Sequence, residues 1–246
     1  MTLFKFKKKK IVLDCFTYRS EVYNLQPIQK ASRFYPDWWV KLPSYKDINM
    51  PFSGDKNMRG CVGFTQLYSK GFIMPMWSDV GITVGVRGED NYAVDFADGR
   101  TQIRQHSPEQ SGTYLDSKEY QHLKIASPWQ FKCNKDIKWM WQQPVWNFDK
   151  PEEVLILPAI VDYLYNTTTN INMVLPRSTL LKEIIIELGA PLAHIIPLIE
   201  GNVEIKNHLI SKEEYFLMDE GTNSSVSFKN SYGKRKKILS KCPMGY

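Results

Sequence analysis

No apolar run in this 246-residue chain approaches the roughly 20 residues that a membrane-spanning helix needs. A signal-peptide core is also missing: the lysines of residues 1–10 lead into Ile11-Val12-Leu13, and Asp14 ends the apolar stretch at once. Neither a membrane span nor signal-peptide secretion is expected. Cysteine is scarce. Cys15, Cys61, Cys133 and Cys242 lie too far apart for a local metal knuckle or a Cys-x-x-Cys pair, and scattered cysteines of this kind read as reduced thiols. The chain has no Gly-x-Gly-x-x-Gly, no phosphate-binding Gly-Lys-Ser/Thr and no Gly-x-Ser-x-Gly elbow, so the common nucleotide and serine-nucleophile sites have no local support. The carboxylate pairs Glu89-Asp90, Glu152-Glu153 and Glu213-Glu214 are sequence neighbours, which on a strand face opposite sides and cannot share a substrate. Both ends lack acids: residues 1–10 carry five lysines and residues 229–246 carry six Lys/Arg. Subtracting those eleven charges from the overall +6 leaves −5 for residues 11–228, so the high pI belongs to the ends.

What is present is ample core material, 43% hydrophobic and 13% aromatic residues, which excludes wholesale disorder. Short alternating or β-branched runs recur at Ile11–Phe16, Phe72–Met74, Val80–Val86, His122–Ile125, Trp129–Cys133, Lys138–Gln142, Val154–Ile156, Asn170–Leu175, Glu183–Leu188 and His194–Ile199. Tyr92–Phe96 and Thr101–His106, split by Ala97-Asp98-Gly99, read as a hairpin. Helices are few: Val161–Tyr165, and Ser211–Met218 with the capping pattern Ser211-x-x-Glu214. Pro27, Pro36, Pro43 and Pro51 keep residues 24–52 extended or short-helical, and Phe34, Tyr35, Trp38 and Trp39 can hold that segment in place only by lying on the body. The fold class is mainly β: one β-sandwich or jelly-roll-like domain over residues 11–219, with few short helices and an extended, Pro/Trp-rich N-terminal segment. A basic arm (1–10) and a basic tail (220–246) flank it.

Two sets of residues bear chemistry. Histidines from separate strands of a β-fold can gather round a metal, and His106, His122 and His194 are the candidates, although no His-x-Asp/Glu pair supports them. Trp139 and Trp141 share a strand face at period two and form either a stacking platform for sugars or bases, or part of the core. No cofactor is predicted, with a transition metal held as the alternative.

Several stretches occur together: Gly71-Phe72-Ile73-Met74-Pro75 with Asp79 behind it, His106 with Gln110, Leu123-Lys124-Ile125 followed by Ser127-Pro128-Trp129, Val161-Asp162, and Ile184-Ile185-Ile186 running into Gly189-Ala190-Pro191-Leu192-Ala193-His194-Ile195-Ile196-Pro197. As a set, over about residues 35–200, they resemble a family of unknown-function proteins from large tailed marine phages and some bacteria. The chain departs from the family pattern across Ala159–Leu164, where a glycine-rich turn and a second acid are usual, so no site is assigned to Asp162. The resemblance implies a phage context, in a host cytoplasm or on a virion, and picks out His106, Gln110, Lys124, Trp129 and His194 as a candidate pocket. Three functions fit: a phage accessory or virion-associated module binding a protein or glycan through an aromatic face, a cupin-like metal enzyme with a His-lined pocket, and a nucleic-acid binder using its Lys-rich termini as the anion contact.

Overall fold

In a computed structural model, residues 10–46, 56–88, 92–96, 103–149 and 152–223 are described. Alternation of apolar and polar residues sets most of the strands. In β1 (Ile11–Thr17) the odd positions Ile11, Leu13, Cys15 and Thr17 are buried and the even ones half-exposed. A short helix α1 (Ser20–Leu25) and strand β2 (Gln29–Lys30) follow. The proline-rich segment, expected to be extended or short-helical, holds a 3-10 turn at Ala31–Arg33 and the short helix α2 (Asp37–Lys41). Pro36 supplies the start of α2, its carbonyl accepting from the N–H groups of Trp39 and Val40 at 3.0 Å each.

Ahead of the strand expected at Phe72–Met74, Val62–Ser69 forms helix α3, which the sequence patterns do not predict. Its two buried residues, Phe64 and Tyr68, stand four apart on one helix face. Then come β3 (Phe72–Pro75), β4 (Val80–Val84), β5 (Tyr92–Phe96), β6 (Ile103–Gln105), β7 (Tyr120–Ala126), β8 (Gln130–Cys133), β9 (Lys138–Gln142), β10 (Leu155–Ile156), β11 (Ala159–Asp162), β12 (Asn170–Pro176), β13 (Lys182–Ile186), β14 (Pro191–Pro197), β15 (Val203–Leu209) and helix α4 (Lys212–Asn223). Two local expectations fail. Residues 159–162, read partly as helix, form β11 on the edge of β9. The expected 92–106 hairpin does not form: β5 pairs with β4 and β6 with β7, in different sheets, and the Asp98-Gly99 turn lies outside the described residues. The capping box is present in full, with Glu214 N–H bound to Ser211 Oγ at 3.1 Å and Ser211 N–H bound to Glu214 Oε2 at 2.9 Å. That helix runs on to Asn223, past the expected start of the tail.

The strands make four sheets, ordered β15-β1-β8, β10-β12-β7-β6, β11-β9-β14-β3-β2 and β13-β4-β5. Among these strands the pairings are antiparallel except β1 with β15, and an isolated parallel bridge joins Val86 to Ser178. The protein is mainly β and sandwich-like. One large core, including Leu13, Met74, Trp129, Phe131, Trp139 and Ile195, lies between the sheets. The five-stranded sheet is covered on its other side too: β3 and most of β14 are buried throughout, and Ile73, His194 and Ile196 are buried outside the main core cluster, with Phe64 and Tyr68 of α3. That second layer positions the surface described next. Cys15, Cys61 and Cys133 are free thiols, as their spacing predicts. Among the described residues no helix is long and apolar enough to cross a membrane.

Candidate functional site

The candidate pocket is split by the sheet topology. His106 follows β6 and its backbone N–H donates to the His122 carbonyl at 3.0 Å, which sets the two imidazoles face to face with centroids 4.3 Å apart and planes 25° from parallel. His106 Nδ1 meets Gln110 Oε1, and its Nε2 meets Asn172 Oδ1 at 2.9 Å. Lys124 stands opposite Arg104 on one neighbouring strand and Asn172 on the other, and so shares their face with His122. His106, Gln110 and Lys124 therefore gather on the outer face of the four-stranded sheet. Burial, and then the nearby His106, hold the His122 ring below the usual histidine range.

Trp129 and His194 are elsewhere. Trp129 is a core residue, 1% exposed, behind a turn in which its backbone N–H bonds Ser127 Oγ at 3.1 Å. His194 lies in the five-stranded sheet, buried, with its Nε2 on the Lys70 carbonyl at 2.8 Å. The trio His106, His122 and His194 thus does not come together as a ligand set. Among the described residues no group of three or more His, Cys, Asp or Glu side chains is placed to hold a metal. The stacking platform also needs correction. Trp139 and Trp141 do share a face, but at 0% and 3% exposure it is the core face, with Lys138 exposed on the other side. Phe131 and Tyr163 pack against them, leaving no ring surface for a ligand.

An accessible aromatic surface lies where the proline-rich segment meets α3. Phe64 is the hub, with ring centroids of Tyr68, Trp146, Trp39 and Trp38 at 5.0, 5.3, 5.4 and 5.9 Å. Tyr35 stacks on Trp39 at 4.5 Å and on Tyr68 at 5.1 Å. As the sequence demands, the 34–39 rings fasten their segment to the body. Polar groups fix them: Trp38 Nε1–H donates to the Trp146 carbonyl at 3.0 Å and Trp39 Nε1–H to the Met58 carbonyl at 3.3 Å. The Tyr68 hydroxyl donates to Asn147 Oδ1, whose Nδ2 donates to the Phe34 carbonyl at 2.9 Å. Burial, then the neighbouring Tyr35, raises the Tyr68 phenol far above its ordinary range, so it stays a donor. Arg59 Nη1 donates to the carbonyls of Val40 and Leu42, both at 3.1 Å, and the guanidinium sits 5.9 Å from the centre of the Trp39 ring.

At the surface Trp38 and Trp146 remain 41% and 40% exposed, with centroids 6.0 Å apart. Val40 and Val145, near them in sequence, are exposed too. Sequence reasoning missed Trp146, Phe64, Tyr68 and Arg59 as members. The signals were the tryptophan-rich 129–146 stretch and the i,i+4 spacing of Phe64 and Tyr68, which only a helix brings together.

His194 lies beneath this layer, its ring 6.0 Å from Tyr68. Burial lowers its basicity, opposed by the bond to Lys70. A histidine less basic when folded binds fewer protons in the native state, so its contribution is intact above the unfolded value of about 6.5 and is lost as pH falls below it. His122 acts in the same direction. The thermal midpoint should therefore drop as pH falls from about 7 to about 5, above the ordinary carboxylate range. The drop should shrink in His194→Gln, which keeps a donor for Lys70; an unchanged slope would remove His194 from this account. Compared with family models and with curated proteins, the chain matches none.

Proposed function

We propose that the protein is a β-sandwich binding module that meets its partner through the aromatic surface of α2, α3 and residues 145–147. The phage accessory or virion-associated setting is proposed from the sequence resemblance. One observation carries the binding reading: Trp38 and Trp146, side by side and each about two-fifths exposed, are held by a hydrogen bond from the Trp38 indole to the Trp146 carbonyl. Rigid aromatic anchors of this kind lose little entropy on binding, and Trp, Tyr, Met and Arg are the residues enriched in interface centres. For the metal-enzyme alternative the support is the stacked His106–His122 pair; His194, its third expected member, is committed to the Lys70 carbonyl in another sheet. The lysine-rich termini of the tail-driven alternative lie outside the described residues.

The test uses the full chain as bait against infected-cell extract and purified virions. Trp38→Ala with Trp146→Ala should lower retention of a stoichiometric partner by at least about tenfold, since truncating a buried interface anchor costs about 2 kcal/mol or more. Neutralising Lys234, Arg235, Lys236 and Lys237 to glutamine should leave retention unchanged. Equal retention by the double tryptophan variant, or loss only in the tail variant, would refute the aromatic surface as the binding face.

A further inference from the structure

Residues 11–228 are acidic as a whole, yet residues 30–70, the segment that builds the aromatic surface, hold seven Lys/Arg against three Asp. That +4 segment leaves −9 for the rest of the body, and within it Asp37, next to Trp38, pairs with Lys41 at 3.5 Å. Lys41, Lys46, Lys56 and Arg59 are all exposed. Among the described residues a groove of about 440 Å³ is lined by Lys46, Lys56, Asn57, Met58, Gly60 and Cys61. Its floor is fixed: Asn57 N–H and Nδ2 donate to the Ser44 and Pro43 carbonyls at 3.1 and 3.0 Å, and Lys56 bridges to Tyr45. The groove adjoins the Trp39 indole, whose N–H donates to the carbonyl of the groove-lining Met58 at 3.3 Å.

We infer that this surface binds single-stranded nucleic acid, with unpaired bases stacking on Trp38 and Trp146 and the phosphate backbone following the lysine-lined groove. Sequence-tolerant stacking on aromatic rings beside a cationic track is how single strands are held without base-specific hydrogen bonds. The indole donors of Trp38 and Trp39 are already spent on backbone carbonyls, so these rings offer stacking surface rather than base-reading hydrogen bonds. A duplex hides its base faces and would satisfy only the charge. An acidic protein segment would likewise satisfy the charge, and is the competing outcome. The inference rests on the aromatic surface being the binding face, as proposed above.

The experiment is fluorescence anisotropy of a labelled oligothymidylate of about 20 nucleotides, longer than a site of roughly 4–16. It uses the full chain, titrated between about 50 and 200 mM salt, with a duplex of equal length and a glutamate-rich peptide as the other probes. Trp38→Ala with Trp146→Ala should weaken single-strand binding by at least about tenfold, whereas Trp38→Phe with Trp146→Phe should stay within about threefold, because stacking survives. Lys46→Gln with Lys56→Gln should reduce the slope of log affinity against log salt by about 1.4, from about 0.7 per phosphate contact. A cooperative thermal transition well above the assay temperature would show that the variants are folded. The inference is overturned if the oligonucleotide does not bind, if the alanine variant binds it like wild type, or if only the duplex or the glutamate-rich peptide shows tryptophan dependence. If the oligonucleotide fails while captured partner still requires Trp38 and Trp146, only this inference falls. If the alanine variant equals wild type in both experiments, the aromatic-surface reading falls with it.

Discussion

Replacing Trp139 by alanine is expected to cost about 3–5 kcal/mol of folding stability, the range for deleting a large aromatic side chain from a packed core. Its indole is fully buried, at 0% exposure, and packs towards Phe72 and Tyr163 with centroids 6.5 and 6.2 Å away. The strand that carries it is held on both sides, Trp139 standing opposite Val161 on β11 and Pro197 on β14, so the backbone cannot collapse into the vacated space. The loss should appear as a lower denaturant midpoint at an unchanged slope, the sign of altered stability in an otherwise intact cooperative unit. Trp38→Ala is the informative contrast. With 41% of Trp38 already in water, its truncation should cost well under half as much and should act on binding instead. Equal and small losses at both positions would mean that Trp139 is not the core residue described.

Gly71→Ala is expected to be comparably severe for a different reason. Gly71 has φ of +75°, and a Cβ there would stand 2.3 Å from the Ile195 carbonyl oxygen and 3.1 Å from Ile196 Cα. Both contacts are with backbone, so no rotamer change relieves them, and β14 must move away from β3. Left-handed backbone costs about 1–2 kcal/mol for an alanine and overpacking about 1–3 more, giving roughly 2–5 kcal/mol. Gly88 separates the two costs: its φ is +89° with nothing within 4 Å of an added Cβ, so Gly88→Ala should lose only the conformational part. A Gly71→Ala loss no larger than that of Gly88→Ala would mean that β14 yields without cost. The Gly71 carbonyl accepts from Ala31 N–H and the preceding Lys70 carbonyl holds His194. The substitution should therefore also disturb the aromatic surface, seen as altered tryptophan emission from the folded protein.

Much of the fold could be read from local patterns, and the failures have a common cause. The strands β1, β9 and β13 announce themselves by period two or by β-branching, and α4 by its capping box. Residues 92–106 look like a hairpin because Asp98-Gly99 is a strong turn signal. Which strand each half finally pairs with is decided by core contacts far away in sequence. Helix α3 escaped notice because Gly63 and Thr65 weaken its helical preference and only Phe64 and Tyr68 mark its buried face. For the site, the sequence shows that Trp139 and Trp141 share a face but not that this face points inward. It shows that the 34–39 rings must dock on something, but not that Phe64, Tyr68 and Trp146 receive them, since that needs the packing of three separated segments.

The parallel pairing of β1 with β15 has a consequence for how the protein is made. Ile11 pairs with Val203 and Thr17 with Leu209, so β1, the middle strand of its sheet, obtains its second neighbour 192 positions later. On a ribosome adding about 5–20 residues per second, that neighbour follows roughly 10–40 s after β1. For that interval one edge of β1 is an open template for any passing strand. The nascent chain thus keeps an open edge of β1, accessible to chaperones and to other copies of itself, until β15 is synthesised.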